Sequence, residues 1–286
     1  GFLQKVTGSS YTGIRSMNAS DFNVNGAWVK QAQDGNLLFQ NPFTSNPQKP
    51  FLIRPFYVAI SLPFKFLRLD PAVTLHIWRL IFSVLLLIAL FRLIRIFEEI
   101  PARVNIAFLL LAFTSGFGYF FRNIVPASSD LQIPEAFLFL TLGEPPHFQY
   151  SLLLLWSGIA AIYLYNQNHQ SGLWIFLICL ELLWWDHPFD AFSLIAIGLL
   201  ALWFVDGWRK KGSVLALILV ISIPPLLYYF NLSKLPYAQG AAEQNLMPSP
   251  GISAILTAFL PLLLLAAVGA IYQYKIPERR KIVIFL

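Results

Sequence analysis

Three clusters of polar and ionisable side chains lie outside the long apolar segments and contain residue types that transfer protons and bind ligands. The first is centred on Asp21, the second is the segment 144–147, and the third is the segment 186–190. A carboxylate beside a substrate hydroxyl can take its proton as a general base, and Asp21 is the candidate for that role. The candidate substrate-binding residues of the other two clusters are Glu144, His147, Asp186, His187 and Asp190.

Three arginines are predicted to lie near the same membrane surface as these clusters: Arg54, Arg79 and Arg122. The planar guanidinium group can make two hydrogen bonds to a phosphate, so each arginine is a candidate phosphate ligand. Each also fits the commoner role of an anchor at the membrane interface. The sequence leaves both roles open.

Carboxylate oxygens are the ligands that hard divalent cations prefer. The sequence permits, without requiring, a Mg²⁺ or Mn²⁺ ion held by Asp21 with Glu144 or Asp186. Several familiar catalytic motifs are absent, namely a glycine-rich phosphate loop, His-Glu-x-x-His and Gly-x-Ser-x-Gly. The single cysteine, Cys179, excludes an intrachain disulfide.

The composition decides what kind of protein must position these residues. Of the 286 residues, 57% are hydrophobic and 12% are charged, and the mean hydropathy is +0.63. A soluble domain carries about 25% charged residues. The charged residues of this chain are therefore too few to form the surface of a water-soluble protein of its size. We therefore predict an all-α, polytopic helical membrane protein. The net charge of +6 is interpreted as basic residues at the cytoplasmic face, with no nucleic-acid partner.

About seven membrane spans are predicted, since a span needs about 20 mostly apolar residues. Five are clear from length and composition: Thr74–Phe97, Ala102–Phe121, Phe148–Tyr165, Ser213–Phe230 and Gly251–Tyr272. The stretch 172–205 would be about 51 Å long as one helix, far more than a hydrocarbon core of about 30 Å. Pro188 also interrupts it, so we predict two short spans, Gly172–Trp185 and Phe189–Val205, joined by a polar turn in a cavity.

The distribution of basic residues orients these spans. With the N-terminal region outside the cytoplasm, the inner connections 92–103, 166–171, 206–212 and 273–281 hold ten basic residues. The short outer connections hold two, Arg122 and Lys234. This bias follows the positive-inside rule and places all three clusters on the outer side.

Residues 1–71 form a predicted outer loop, and residues 72–286 form the helical membrane domain. A short helix is expected over Asp21–Gln33, with Ser20 or Asp21 as its N-cap. A turn-rich strap over 40–50 follows, and 51–69 fits an interfacial helix, although a crossing helix there would reverse the topology. We expect the chain to be truncated at both ends, because it begins with Gly1 and its last residues start another apolar segment.

The N-terminal region resembles the GT-C superfamily of membrane glycosyltransferases, which includes protein O-mannosyltransferases and aminoarabinose transferases. The resemblance covers roughly residues 10–95 and rests on an early outer-loop acid, a helix of the form Trp-x-Lys-x-Ala-x-x-Gly, a Pro-rich strap and an Arg in the first long span. The residues that carry it are Asp21, Trp28, Ala32, Gly35, Pro50 and Arg79.

The resemblance implies an integral, multi-pass enzyme of a bacterial or archaeal plasma membrane, with its active site facing outside. Such an enzyme would move a sugar from a polyprenyl-phosphate donor in the bilayer to an acceptor that the sequence does not identify. It also implies that Asp21 is the catalytic base or its organiser. A lumenal face of the eukaryotic reticulum is the alternative location.

Two other functions stay open from the residues themselves. Broken helices beside polar residues are typical of transporters, and an ion or substrate site would then use Glu181, Asp186 and His187. A non-catalytic membrane subunit is the third reading. For Glu181, snorkelling or pairing within the protein is as good an explanation as function.

Overall fold

The computed structural model describes residues 19–41, 49–67, 69–113, 115–125, 128–133, 136–202, 208–235 and 250–276. Helices account for 79% of it, so the fold is nearly all-α as the composition predicts. All the candidate site residues lie in the described ranges. The central part of the strap, residues 42–48, and the last ten residues of the chain lie outside them.

The N-terminal region forms a small layer of two helices and a two-stranded antiparallel pair. Its elements are α1 (Ala19–Gln33), β1 (Leu38–Phe39), β2 (Leu52–Ile53) and α2 (Pro55–Lys65). Because α1 already includes Ala19, the prediction that Ser20 or Asp21 caps it was wrong. Asp21 lies in the first turn instead, where a carboxylate is stabilised by the helix dipole.

The remaining helices form the bundle. In chain order they are α3 (Pro71–Phe97), α4 (Pro101–Phe113), α5 (Gly118–Phe121), α6 (Ser129–Gln132), α7 (Leu138–Thr141), α8 (Pro146–Asn166), α9 (Ser171–Asp186), α10 (Pro188–Leu202), α11 (Trp208–Ser233) and α12 (Ile252–Tyr274). Five segments in the described ranges are long and apolar enough to cross a membrane: Pro71–Phe97, Pro101–Phe121, Pro146–Asn166, Lys211–Ser233 and Ile252–Tyr274. An integral membrane protein is therefore supported by length and composition.

The predicted span Ala102–Phe121 divides into α4 and the short α5. Between them, the Phe117 backbone N–H donates a hydrogen bond of 2.9 Å to the Thr257 carbonyl oxygen of α12. Gly116 lies against the Ala258 backbone so closely that a Cβ atom would collide with it. A continuous side-chain-bearing helix cannot make this approach, which explains the interruption.

The stretch 172–205 separates at His187, as the length argument predicts. Helix α9 ends at Asp186 and α10 begins at Pro188, which as the first helical residue loses no backbone hydrogen bond. At 16 and 15 residues the two helices are about 24 and 23 Å long, less than a hydrocarbon core of about 30 Å.

The main core lies between α8, α9, α10 and α11, and its largest fully buried side chain is Trp184. The Trp184 indole N–H donates to Ser222 Oγ of α11 at 3.0 Å, and its carbonyl oxygen accepts from Tyr229 Oη at 2.9 Å. These bonds attach the last turns of α11, which contains Pro224 and Pro225, to the end of α9.

A second core joins the N-terminal layer to α3 and is lined by Phe22, Trp28, Val29, Phe39, Phe56 and Ile60. Partly buried polar contacts fix the register of this layer. Gln33 Nε2 donates to the Leu69 carbonyl oxygen at 3.0 Å, and the Trp78 indole N–H donates to the Ile60 carbonyl oxygen at 2.7 Å. The Ile53 N–H donates to Tyr228 Oη of α11 at 3.0 Å, so the layer is also attached to the bundle.

The alternating direction of the helices gives the bundle two different ends. The polar end is where α3, α8 and α10 begin and where α9 and α11 end. The basic end is where α3, α8 and α10 end and α4, α9 and α11 begin, and its contacts include Phe97 against Tyr163. The N-terminal layer covers the polar end, since Phe22 packs on His76 in the second turn of α3.

We expect Gly172→Ala to destabilise the protein by about 1–3 kcal/mol, because the added Cβ would meet backbone atoms of α8 at Ala161 and Tyr165 that cannot move aside. The measurement is the unfolding midpoint of the purified protein in detergent. Gly269→Ala is the matched control, because no atom lies within 4 Å of its added Cβ. Equal midpoints for both variants would contradict the close α8–α9 packing.

Candidate functional site

A cluster of polar side chains surrounds Tyr57 at the polar end of the bundle. We call it the Tyr57 cluster, and it comprises Asp21, Asn25, Arg54, Tyr57, His147, Asp186 and His187. Three elements that are distant in the sequence supply it: the N-terminal layer, the start of α8 and the α9–α10 turn.

Tyr57 is the buried centre of the cluster. Its hydroxyl donates a hydrogen bond to Asn25 Oδ1, and Asn25 Nδ2 in turn donates to the Asp21 carbonyl oxygen at 2.6 Å. Burial raises the pKa of Tyr57 far above its usual value, and the Asp186 carboxylate acts in the same direction. The Arg54 guanidinium lowers the pKa of Tyr57, whereas the Asp21 carboxylate raises it. The phenol is therefore neutral, and three charged side chains, two from the N-terminal layer and one from the α9–α10 turn, lie within electrostatic reach of it.

Asp21 is exposed, although its neighbour Phe22 and its hydrogen-bonded partner Asn25 are both buried. Helical spacing places Asp21 and Asn25 on the same face of α1. The Asp21 carboxylate therefore lies at the edge of the cluster, where it is accessible to solvent.

Arg54 precedes α2 and is half-buried between the N-terminal layer and the bundle. Its guanidinium lies 5.8 Å from the centre of the Trp28 ring, a cation–π contact. It also interacts electrostatically with Asp186, His147 and Tyr229. Arg54 is thus the cation of the cluster.

Asp186 ends α9, and its Oδ2 atom is buried without a hydrogen-bond partner among the described residues. Its electrostatic partners are His187, Arg54 and Asp190. His187 Nδ1 lies 3.0 Å from Asp190 Oδ2 across the α9–α10 turn. A buried carboxylate oxygen with no donor is costly, so it marks a position where a ligand could supply one.

The 144–147 segment reaches the same place from α8. His147 interacts with His187 and Arg54, and its Nδ1 atom is buried without a hydrogen-bond partner in the described structure. Its ring packs on Phe148, and the centre of the Phe148 ring lies 6.0 Å from the centre of the His187 ring. Glu144 is 2% exposed and is held by Gln149, whose Nε2 donates to the Glu144 carbonyl oxygen at 3.0 Å.

Arg79 and Arg122 lie at different positions from Arg54. Arg79 Nη1 is 3.4 Å from the Gly143 carbonyl oxygen, so it contacts the segment leading to Glu144. Arg122 is exposed, and its guanidinium lies 4.5 Å from the centre of the Tyr119 ring. The described contacts connect Arg122 only with that surface, which fits an interfacial anchor.

Glu181 is engaged within its own helix. The Trp185 indole N–H donates to Glu181 Oε1 at 2.7 Å, one turn further along α9. Pairing within the helix therefore accounts for this carboxylate.

No group of three His, Cys, Asp or Glu side chains that could hold a metal ion occurs within the described ranges. Asp21, Glu144 and Asp186 all lie in those ranges, and they do not form such a group. A Mg²⁺ or Mn²⁺ ion held by Asp21 with Glu144 or Asp186 stays a prediction from the sequence, and the reaction proposed below uses only side chains of the protein.

The sequence reasoning missed Asn25, Tyr57 and Tyr229. Asn25 carried a signal, because it lies four residues after Asp21 on a predicted helix. Tyr57 and Tyr229 carried none, because tyrosines at a membrane interface are common. No family model, curated protein or solved structure matches the chain, so the site must be interpreted from its own chemistry.

We expect Tyr57→Phe to lower the free energy of unfolding by about 1–3 kcal/mol, because it leaves the buried Asn25 Oδ1 without its donor. Thermal unfolding in detergent measures the change. Tyr272→Phe is the control, since Tyr272 is 61% exposed and makes no hydrogen bond with the described residues. If both variants unfold at the same temperature, the Tyr57–Asn25 bond does not stabilise the site.

Proposed function

We propose that the protein is a membrane glycosyltransferase of the GT-C type that uses a polyprenyl-phosphate sugar donor. The observation that carries the proposal is the Tyr57 cluster, in which the exposed Asp21 carboxylate shares one site with Arg54 and Asp186. A base, a cation for phosphate and a buried acceptor of hydrogen bonds are the groups that transfer of a sugar from a lipid phosphate requires.

The position of the cluster relative to the bilayer supports the same proposal. Arg92 and Arg95 lie in the last turns of α3, about 20–24 Å along the helix axis from Arg79 at the polar end. Lys211 lies near the start of α11, also at the basic end. By the positive-inside rule the basic end faces the cytoplasm, so we propose that the cluster faces outside. The proposed topology has seven spans, the five long segments with α9 and α10.

The proposed reaction is a displacement at the anomeric carbon of the sugar. The acceptor hydroxyl oxygen forms a bond to that carbon while the bond from the carbon to the phosphate oxygen breaks. The electron pair of the broken bond leaves with the lipid phosphate, and the hydroxyl proton goes to the Asp21 carboxylate. Arg54 stabilises the negative charge that develops on the phosphate.

The remaining members of the site hold the substrates in this proposal. Asp186 Oδ2 and His147 Nδ1 are buried atoms without hydrogen-bond partners in the described structure, so hydroxyl groups of a sugar would satisfy them. Glu144 and Arg79 support the segment that carries His147. Asp190 orients His187 through their 3.0 Å contact.

The transporter alternative has less support. Its site needs Glu181 with Asp186 and His187, whereas the Glu181 carboxylate is bound by Trp185 of the same helix. A transporter also gives no role to the exposed Asp21. A non-catalytic subunit would not need buried polar atoms that await a ligand.

We expect Asp21→Asn to reduce sugar transfer by about 100-fold or more, because the amide cannot accept the proton. The full-length protein is reconstituted in liposomes with labelled polyprenyl-phosphate sugars and a membrane extract as acceptor source, and loss of label from the lipid fraction is measured. Asp34→Asn is the matched control, because Asp34 is exposed just after the same helix and pairs only with Lys30 among the described residues, at 2.6 Å.

Undiminished transfer by Asp21→Asn would remove this residue from the catalytic role. If the wild-type protein releases label from none of the donors, the glycosyltransferase proposal itself is wrong.

We expect Arg54→Gln to lower kcat/KM for the lipid donor by about 10- to 100-fold, the cost of losing a charged hydrogen bond to phosphate. Arg103→Gln, at the basic end, removes the same charge as a control. Equal effects of the two variants would show that Arg54 acts only through the net charge of the protein.

A further inference from the structure

A groove lies on the half of the bundle opposite the Tyr57 cluster. It has a volume of about 400 Å³ and runs along one face of α3, where α4 forms its other wall. Its apolar lining consists of Val84, Leu87, Ile88, Phe91 and Phe108. Phe91 and Phe108 meet edge to face, with ring centres 5.6 Å apart, and close the groove between the two helices.

Two arginines, Arg92 and Arg95, line the basic end of this groove. Both are exposed, and neither has an ion-pair or hydrogen-bond partner within the described part of the chain. Both lie within the last two turns of α3. The groove is therefore apolar along the helix and doubly cationic at the membrane surface.

The two acidic residues that follow α3 in the sequence, Glu98 and Glu99, do not form ion pairs with these arginines within the described part of the chain. Glu98 Oε2 lies 3.6 Å from Arg103 Nη1, and Glu98 Oε1 accepts hydrogen bonds of 3.1 Å from the backbone N–H groups of Glu99 and Ile100. The Glu98 carboxylate is thus bound by α4 and its N-terminal turn. Glu99, the neighbouring acid, is exposed to solvent.

We propose that this groove binds one anionic phospholipid from the leaflet at the basic end. An acyl chain lies along Val84, Ile88 and Phe91, and the lipid phosphate accepts hydrogen bonds from Arg92 and Arg95. Charge complementarity selects this occupant, because a lipid with an apolar acyl chain and a negatively charged phosphate headgroup matches an apolar groove that ends in two guanidinium groups without partners among the described residues. The site is independent of the proposed sugar transfer.

The first experiment separates this site from general attraction to a basic surface. Native mass spectrometry of the full chain in non-ionic detergent measures the apparent Kd for dioleoyl phosphatidylglycerol, with dioleoyl phosphatidylcholine as the neutral comparison. We expect the double variant Arg92→Gln/Arg95→Gln to weaken phosphatidylglycerol binding at least about tenfold. The double variant Arg103→Gln/Lys275→Gln removes the same charge outside the groove and should change binding less than about threefold.

The second experiment keeps both arginines and fills the groove. Ile88 is 45% exposed within it, so Ile88→Trp places an indole where the acyl chain would lie while leaving the buried core intact. We expect saturable phosphatidylglycerol binding to be lost, with an unchanged unfolding temperature. The proposal is overturned if Ile88→Trp binds like the wild type, or if the two double variants weaken binding equally.

Discussion

The need to satisfy backbone hydrogen bonds where α9 ends and α10 begins governs the turn between them, and the candidate site depends on that turn. The His187 N–H donates to the Leu183 carbonyl oxygen at 2.8 Å, and the Asp190 N–H donates to the His187 carbonyl oxygen at 3.0 Å. Pro188 needs no acceptor. These backbone groups of the turn are therefore satisfied within the backbone, without the side chains of Asp186 and His187.

The N-terminal layer supplies the side chains of the candidate site that the bundle lacks. The α9–α10 turn supplies an acid and a histidine, but the half-buried cation is Arg54, and the exposed acid is Asp21. Tyr57 joins the two parts because its hydroxyl is bound within the layer while its ring lies near Asp186. A polar site is thus formed where the helical bundle meets the N-terminal layer.

The sequence predicted the elements better than the contacts between them. The break at Pro188 followed from helix length, and the helical character followed from composition. The approach of Arg54 to Asp186 spans 132 positions, and no periodicity encodes it. The start of α1 before Ser20 was also not predicted. The interruption near Gly116 could not be predicted, because it depends on contact with Ala258, in a helix more than 130 residues further along the chain.

Two consecutive tyrosines of α11 bind the two segments that carry Arg54 and Asp186. Tyr228 holds the backbone of Ile53, the residue before Arg54, and Tyr229 holds the backbone of Trp184, two residues before Asp186. The distance between Arg54 and Asp186 therefore depends on two adjacent residues of one helix. A change of register in that helix would alter the width of the site without touching any charged group.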